Sequence, residues 1–268
     1  MVSQPVVRNN TFYYLLSFFF MNLGRTIPHA ILTIYLLEVG LTLSQVAYLQ
    51  IIYMIAVFVF EIPSGYFSDK WSRKYMYIFS IIFLGLAYAL IYLGYSNVYL
   101  LMFAWFLYGL SAALNSGTME SELINQIKAL NQNVKKLVIW NSYAASVSSA
   151  IGAILGSLLY VHIGSNMYLV TFICFVISLT LALLFKVDVK GEKNRESNVS
   201  ANPILKNTIV QLVKDKSTLE ILIAFTLVSL FLQPYYQYWQ VLFQEKGMEL
   251  LAVECSCPYS VVPMSSLT

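Results

Sequence analysis

Charge is what this chain has least of. Only 11% of its 268 residues are charged, while 59% are hydrophobic. A soluble globular domain carries about 25% charged and about 45–50% apolar residues. The excess is too large for one core surrounded by water, so a soluble fold is excluded and lipid is the expected solvent. Cysteine is also scarce. Of three, Cys174 lies inside an apolar run, and Cys255 and Cys257 lie near the C-terminus. That is no disulfide framework, and a lone C-x-C is no zinc site. The sequence has no phosphate loop, metal-ligand cluster, nucleophile–base constellation or basic nucleic-acid stripe. No metal, cofactor, nucleic-acid partner or enzymatic activity is therefore expected. A cleavable signal peptide is not expected either. The apolar run after Arg8 outlasts the roughly 7–15 residues of a signal core and lacks a small-residue cleavage site.

What the chain does have is long apolar runs, with a mean hydropathy of +0.69. Aromatics make up 15%, including 20 Tyr, as expected where rings sit at membrane interfaces. A bilayer core takes about 20 mostly apolar residues per helix. Read with that window, the sequence predicts seven spans, near 11–37, 42–67, 75–95, 98–118, 137–161, 166–185 and 219–242. The links at 38–41, 96–97 and 162–165 are so short that their flanking helices must run antiparallel, side by side. Cations fall on alternate links: Arg8; then Lys70, Arg73 and Lys74; then Lys128, Lys135 and Lys136; then Lys186 through Lys216. The opposite links carry none through the sixth span, which predicts a cytoplasmic N-terminus. The expected organisation is a six-helix bundle over 1–186, a polar cytoplasmic loop over 187–216, a seventh helix over 217–247 and an atypical tail over 248–268. The tail departs in texture from what precedes it, as expected of either a truncated or frame-shifted product or a genuine short variant.

Within the spans, Arg25 stands out. A mid-membrane arginine costs about 2.5–3.5 kcal/mol on insertion scales unless it finds water or a partner. Asn22, Arg25, Thr26, His29 and Thr33 recur at three- and four-residue spacing, forming one polar stripe beside a helix-kinking Pro28. The stripe either faces an aqueous cavity or holds Arg25 in a buried ion pair. His29 titrates near neutrality when unperturbed, so it is either a proton-coupling group or a hydrogen-bonded packing residue. On the second span, Gln50, Tyr53, Val57 and Glu61 share a face. Glu61 sits roughly 10 Å from the depth of Arg25 at 1.5 Å per residue, as a proton carrier or as an anchor for nearby cations. Asn115 ends the fourth span and joins the cavity set. Gln233, Tyr236, Gln237 and Gln240 share a face of the seventh, where amides and aromatics suit an adaptable organic-molecule pocket or an interfacial belt. Gly152 and Gly156 form a G-x-x-x-G packing device.

The run from Gly65 to Lys74 contains Gly65, Asp69, Lys70, Arg73 and Lys74 in the pattern G-x-x-x-D-[RK]-x-G-[RK]-[RK], with Ser72 in place of the second glycine. It resembles the loop between the second and third helices of major facilitator superfamily transporters. Six helices, a charged loop and a seventh helix resemble the first half of that family and the start of its second. Glu61 to Gly65, Glu-Ile-Pro-Ser-Gly, is similar to a run in a bacterial drug-efflux subset, as is the segment from Gln233 to Gln240. Ser116 to Glu122 resembles the family's Ser-Gly-x-x-Glu segment. The resemblance implies an all-α membrane bundle. It also implies a conformational latch formed by Gly65, Asp69, Arg73, Glu120 and Glu122, with cavity residues Asn22, Arg25, His29, Gln50, Tyr53, Asn115, Gln233 and Gln237. The implied function is proton-coupled efflux of small organic molecules in a bacterial plasma membrane, with lipid bilayer, substrate and protons as partners. No proline follows Gly156, a departure from the antiporters of the family. The alternatives are a non-transporting fragment or assembly partner, and an uptake symporter for an anionic solute, which Arg25 favours.

Overall fold

The computed structural model describes residues 4–186, apart from 71, 95–96 and 117, together with residues 220, 224, 228 and 232. The expected loop over 187–216, helix over 217–247 with Gln233 and Gln237, and tail over 248–268 lie outside the described residues apart from those four isolated positions.

Eight α-helices and no strand occur among the described residues. They are α1 (Gln4–His29), α2 (Leu32–Glu38), α3 (Leu43–Lys70), α4 (Arg73–Leu93), α5 (Val98–Asn115), α6 (Thr118–Ala129), α7 (Lys135–Ile163) and α8 (Met167–Leu184). Five stretches are long and apolar enough to cross a membrane. The longest, Lys135–Leu184, folds back at a single 3₁₀ turn over Gly164–Asn166, where Gly164 takes a φ of 57°, so it makes two passes. The 21 residues of α4 reach about 32 Å, enough for a hydrocarbon core of about 30 Å.

The helices form two layers. α1 packs between α7 and α8, α5 packs between α3 and α4, and α4 also meets α8, which joins the layers. The outer surface is apolar, with Phe58, Leu93, Tyr99 and Ile173 exposed, while Ser17, Ser80, Ser148, Ser157, Thr171 and Ser178 are enclosed. Lipid is as apolar as leucine, so helix association relies on close packing and interhelical hydrogen bonds. The Ser17 hydroxyl donates to the Ser178 carbonyl and the Ser178 hydroxyl to the Ser17 carbonyl, both at 2.8 Å. Ser111 donates to the Ser80 carbonyl at 2.7 Å, tying α5 to α4. Gly152 lies against the Thr26 side chain and Gly156 against the Ile27 carbonyl, where α7 and α1 meet backbone to backbone.

Three expectations change. The first span is broken: Pro28 precedes a turn in which the Ala30 amide reaches the Thr26 carbonyl at 3.0 Å and the Ile31 amide the Pro28 carbonyl at 3.2 Å. α2 then starts afresh at Leu32. Second, the 65–74 segment is mostly helix. α3 runs on to Lys70 and α4 begins at Arg73, leaving a link of residues 71–72 with Ser72 in the extended cap position. Gly65 lies in open space inside α3, so nothing there interrupts the ladder. Third, α6 is an additional helix. Met119, Leu123 and Ile127 recur every four residues and are buried. Glu120 in its first turn and Lys128 in its last complement the helix dipole.

Candidate functional site

The polar stripe of α1 faces two neighbours. Its α7 edge is Asn22, which is buried and donates to Ser148 Oγ at 2.8 Å, Ser149 Oγ at 2.9 Å and the Ala145 carbonyl at 3.2 Å. Thr26 donates to the Asn22 carbonyl at 2.8 Å and packs against Gly152. Asn22 Oδ1 in turn accepts Arg25 Nη2 at 2.8 Å, so one amide bridges the serines of α7 and the guanidinium.

Arg25 is half-buried and faces tyrosines. The Tyr88 hydroxyl of α4 donates to the Arg25 carbonyl at 3.0 Å and shares a hydrogen bond with Tyr108 of α5. The Arg25 charge lies within electrostatic reach of Tyr53, Tyr88 and His29. The Tyr53 and Tyr108 rings are 5.0 Å apart and those of Tyr88 and Tyr108 are 5.8 Å apart. Phe175 and Tyr168 of α8 back Tyr88 at 5.8 and 6.0 Å. The result is one cation before an aromatic wall built by four helices. Among the described residues Arg25 makes no ion pair. A guanidinium has five N–H donors, and here one hydrogen bond is described, to Asn22.

The other cavity residues sit around this wall. His29 is exposed one turn beyond Arg25, and Gln50 is half-buried near Tyr53 on α3. Glu61 is exposed, eight residues or about 12 Å along α3 from Tyr53, and does not pair with Arg25. Asn115 is half-buried at the end of α5, about 10 Å from Tyr108 along the axis.

The latch residues lie at the end of the bundle that carries the N-terminus. Gly65 is exposed on α3, and the Asp69 side chain lies outside the described residues. Arg73 opens α4 and is half-buried. The two glutamates diverge. Glu120 is hydrogen-bonded to Asn141 of α7, whose Oδ1 accepts the Tyr14 hydroxyl at 3.3 Å. Glu122 is buried and accepts Gln126 Nε2 at 3.3 Å.

Around them is a clasp absent from the sequence reading. Asn10 of α1 donates to Gln126 Oε1 at 2.8 Å and to the Lys186 carbonyl at 2.7 Å, and accepts the Lys186 amide at 3.0 Å. Lys74 of α4 caps α8, its ammonium reaching the Leu183 carbonyl at 2.7 Å and the Phe185 carbonyl at 2.8 Å. The available signal was an amide at Asn10 early in an apolar helix; for Tyr88 and Tyr108, ordinary members of apolar runs, there was none. At the opposite end the Tyr160 hydroxyl donates to the Glu38 carboxylate, joining α7 to the end of α2.

Compared with known proteins, the family described as the Major Facilitator Superfamily matches the chain over residues 14–266. Neither a curated protein nor a solved structure matches it.

Proposed function

The chain belongs to the major facilitator superfamily, and on that premise we propose that this membrane transporter exports small organic molecules at the expense of a proton gradient. Its setting would be a bacterial plasma membrane, with the N-terminus in the cytoplasm and a likeness to the drug-efflux members. Substrate binds near mid-depth and the halves rock around it, the mode by which such transporters alternate access. Arg25, with Asn22, His29, Gln50, Tyr53 and Asn115, forms this chain's contribution to the cavity, and Gln233 and Gln237 add the seventh helix. Glu61 and His29 carry the proton. Gly65, Asp69, Arg73, Glu120 and Glu122 bias the conformational equilibrium.

The observation that carries this reading is Arg25. It is a half-buried cation at membrane depth with one described hydrogen bond, set before Tyr53, Tyr88 and Tyr108. A charge held there faces a bundle interior or a water-filled path rather than lipid. The test is gradient-driven flux of a fluorescent amphipathic dye in proteoliposomes. Uptake should collapse with a protonophore and fall at least tenfold in Arg25→Gln. Dye movement indifferent to both would refute the proposal.

A second reading, uptake of an anionic solute, draws on the absence of a carboxylate beside Arg25 among the described residues. Faster flux of benzoate than of benzylamine, in the inward direction only, would favour it.

A further inference from the structure

The N-terminal end of the bundle holds a groove of about 620 Å³ between α1 and the start of α7, within the range of about 300–1,000 Å³ usual for small-molecule sites. It is separate from the candidate substrate site. Arg8, on its wall, is 17 residues from Arg25, or about 25 Å along the helix.

The walls repeat one pattern on two helices. α1 presents Arg8 and, one turn deeper, Phe12; α7 presents Lys136 and, one turn deeper, Trp140. Phe12 and Trp140 are each 61% exposed, so both rings are open to an apolar occupant of the groove. Arg8 and Lys136 are exposed and make no ion pair among the described residues. The neutral amides of Gln132 and Asn133 complete the rim. Two free cations above two uncovered rings, about 6 Å apart along each axis, match an amphiphile with a negative head and an apolar body.

We propose that this groove holds an anionic phospholipid, its phosphate between Arg8 and Lys136 and its glycerol and upper acyl chain against Phe12 and Trp140. The level in the membrane fits. These residues lie in the first turns of two spans, where headgroups meet hydrocarbon, where tryptophan concentrates, and where basic pockets between helices take acidic headgroups. A free phosphate satisfies the cations but leaves both rings uncovered, so the lipid accounts for more of the site.

The test is native mass spectrometry of the full chain in detergent, with phosphatidylglycerol or phosphatidylcholine of matched acyl chains added. The wild type should retain phosphatidylglycerol at least tenfold better. The Arg8→Gln/Lys136→Gln variant should reduce that preference to below twofold. Lys135→Gln removes the same charge one residue outside the groove and should leave it intact. Trp140→Ala, which changes no charge, should weaken retention of both lipids severalfold. Equal retention of the two lipids by the wild type overturns the proposal without recourse to any variant. So does a loss in Lys135→Gln equal to that in Arg8→Gln/Lys136→Gln, which would mark diffuse attraction. Displacement of the lipid by millimolar inorganic phosphate would likewise overturn it, by assigning the groove to a soluble anion.

Discussion

Replacing Gly156 by alanine tests the close backbone contact between α7 and α1. A Cβ there would stand against the Ile27 carbonyl oxygen, with the Ile27 carbonyl carbon at 3.0 Å and the Ala30 Cβ at 3.3 Å. Carbon atoms settle at about 3.5–4.0 Å, so α7 must retreat from α1 by at least about 0.5 Å. Because the obstacle is backbone, no side chain can rotate aside. Overpacking of this kind costs about 1–3 kcal/mol, and the upper end applies. Alanine's helix propensity returns about 1 kcal/mol. The net loss of about 1–2 kcal/mol corresponds to a fall of roughly 2–8 °C in Tm. Gly65→Ala is the matched control: it meets nothing within 4 Å, so propensity alone should raise Tm by about 2–4 °C. The assay is size-exclusion chromatography of the detergent-purified protein after graded heating. Retreat of α7 also stretches the Asn22 bonds to Ser148 and Ser149, so Gly156→Ala should perturb the position of Arg25 as well. If Gly156→Ala and Gly65→Ala melt together, the α1–α7 contact is not the close approach described.

Lys74→Met should release the end of α8, at a cost of about 0.3–1 kcal/mol, read as faster hydrogen exchange at Leu183, Leu184 and Phe185; unchanged exchange would remove its capping role. Gln126→Leu removes the Gln126 bond from the Asn10 amide, which keeps its Lys186 partners, and should cost about 0.5–1.5 kcal/mol, seen in the same heating assay. For orientation, in a background lacking the three native cysteines, Cys at Thr42 should react with an impermeant thiol reagent applied from outside the cell and Cys at Lys128 should not. The reverse pattern would invert the bundle.

The six passes among the described residues were legible because hydrocarbon thickness imposes a length that apolar runs must meet. The break after Pro28 was half legible: a missing N–H announces a disturbance, but whether the chain bends or restarts depends on what Leu32 to Leu36 pack against, and all five are buried. α6 was hidden by composition. A twelve-residue segment with Glu120, Glu122 and Lys128 reads as a loop until Met119, Leu123 and Ile127 are given a surface to cover. The segment after Gly65 misled for the opposite reason, since glycine, serine and charge suggest a turn, whereas the end of a helix emerging from lipid carries them equally well. At the candidate site, Arg25 and Asn22 were visible as isolated polar residues in an apolar field. Tyr88 and Tyr108 were not, because a tyrosine against an arginine and a tyrosine against lipid look the same in a string of letters.

The reciprocal Ser17–Ser178 hydrogen bonds also impose a timetable. The two residues are 161 positions apart, and a ribosome adding about 5–20 residues per second needs roughly 8–30 s to reach the second after making the first. Throughout that interval α1 is already made, its Ser17 hydroxyl without its partner on α8, and Asn22 waits in the same way for α7. A solitary helix with an amide, a guanidinium and a hydroxyl turned toward hydrocarbon is what membrane quality control is built to notice. Survival of the nascent chain should therefore depend on how quickly translation reaches the sixth pass, and slow codons between the first and sixth helices should lower the yield of a protein whose finished form is unchanged.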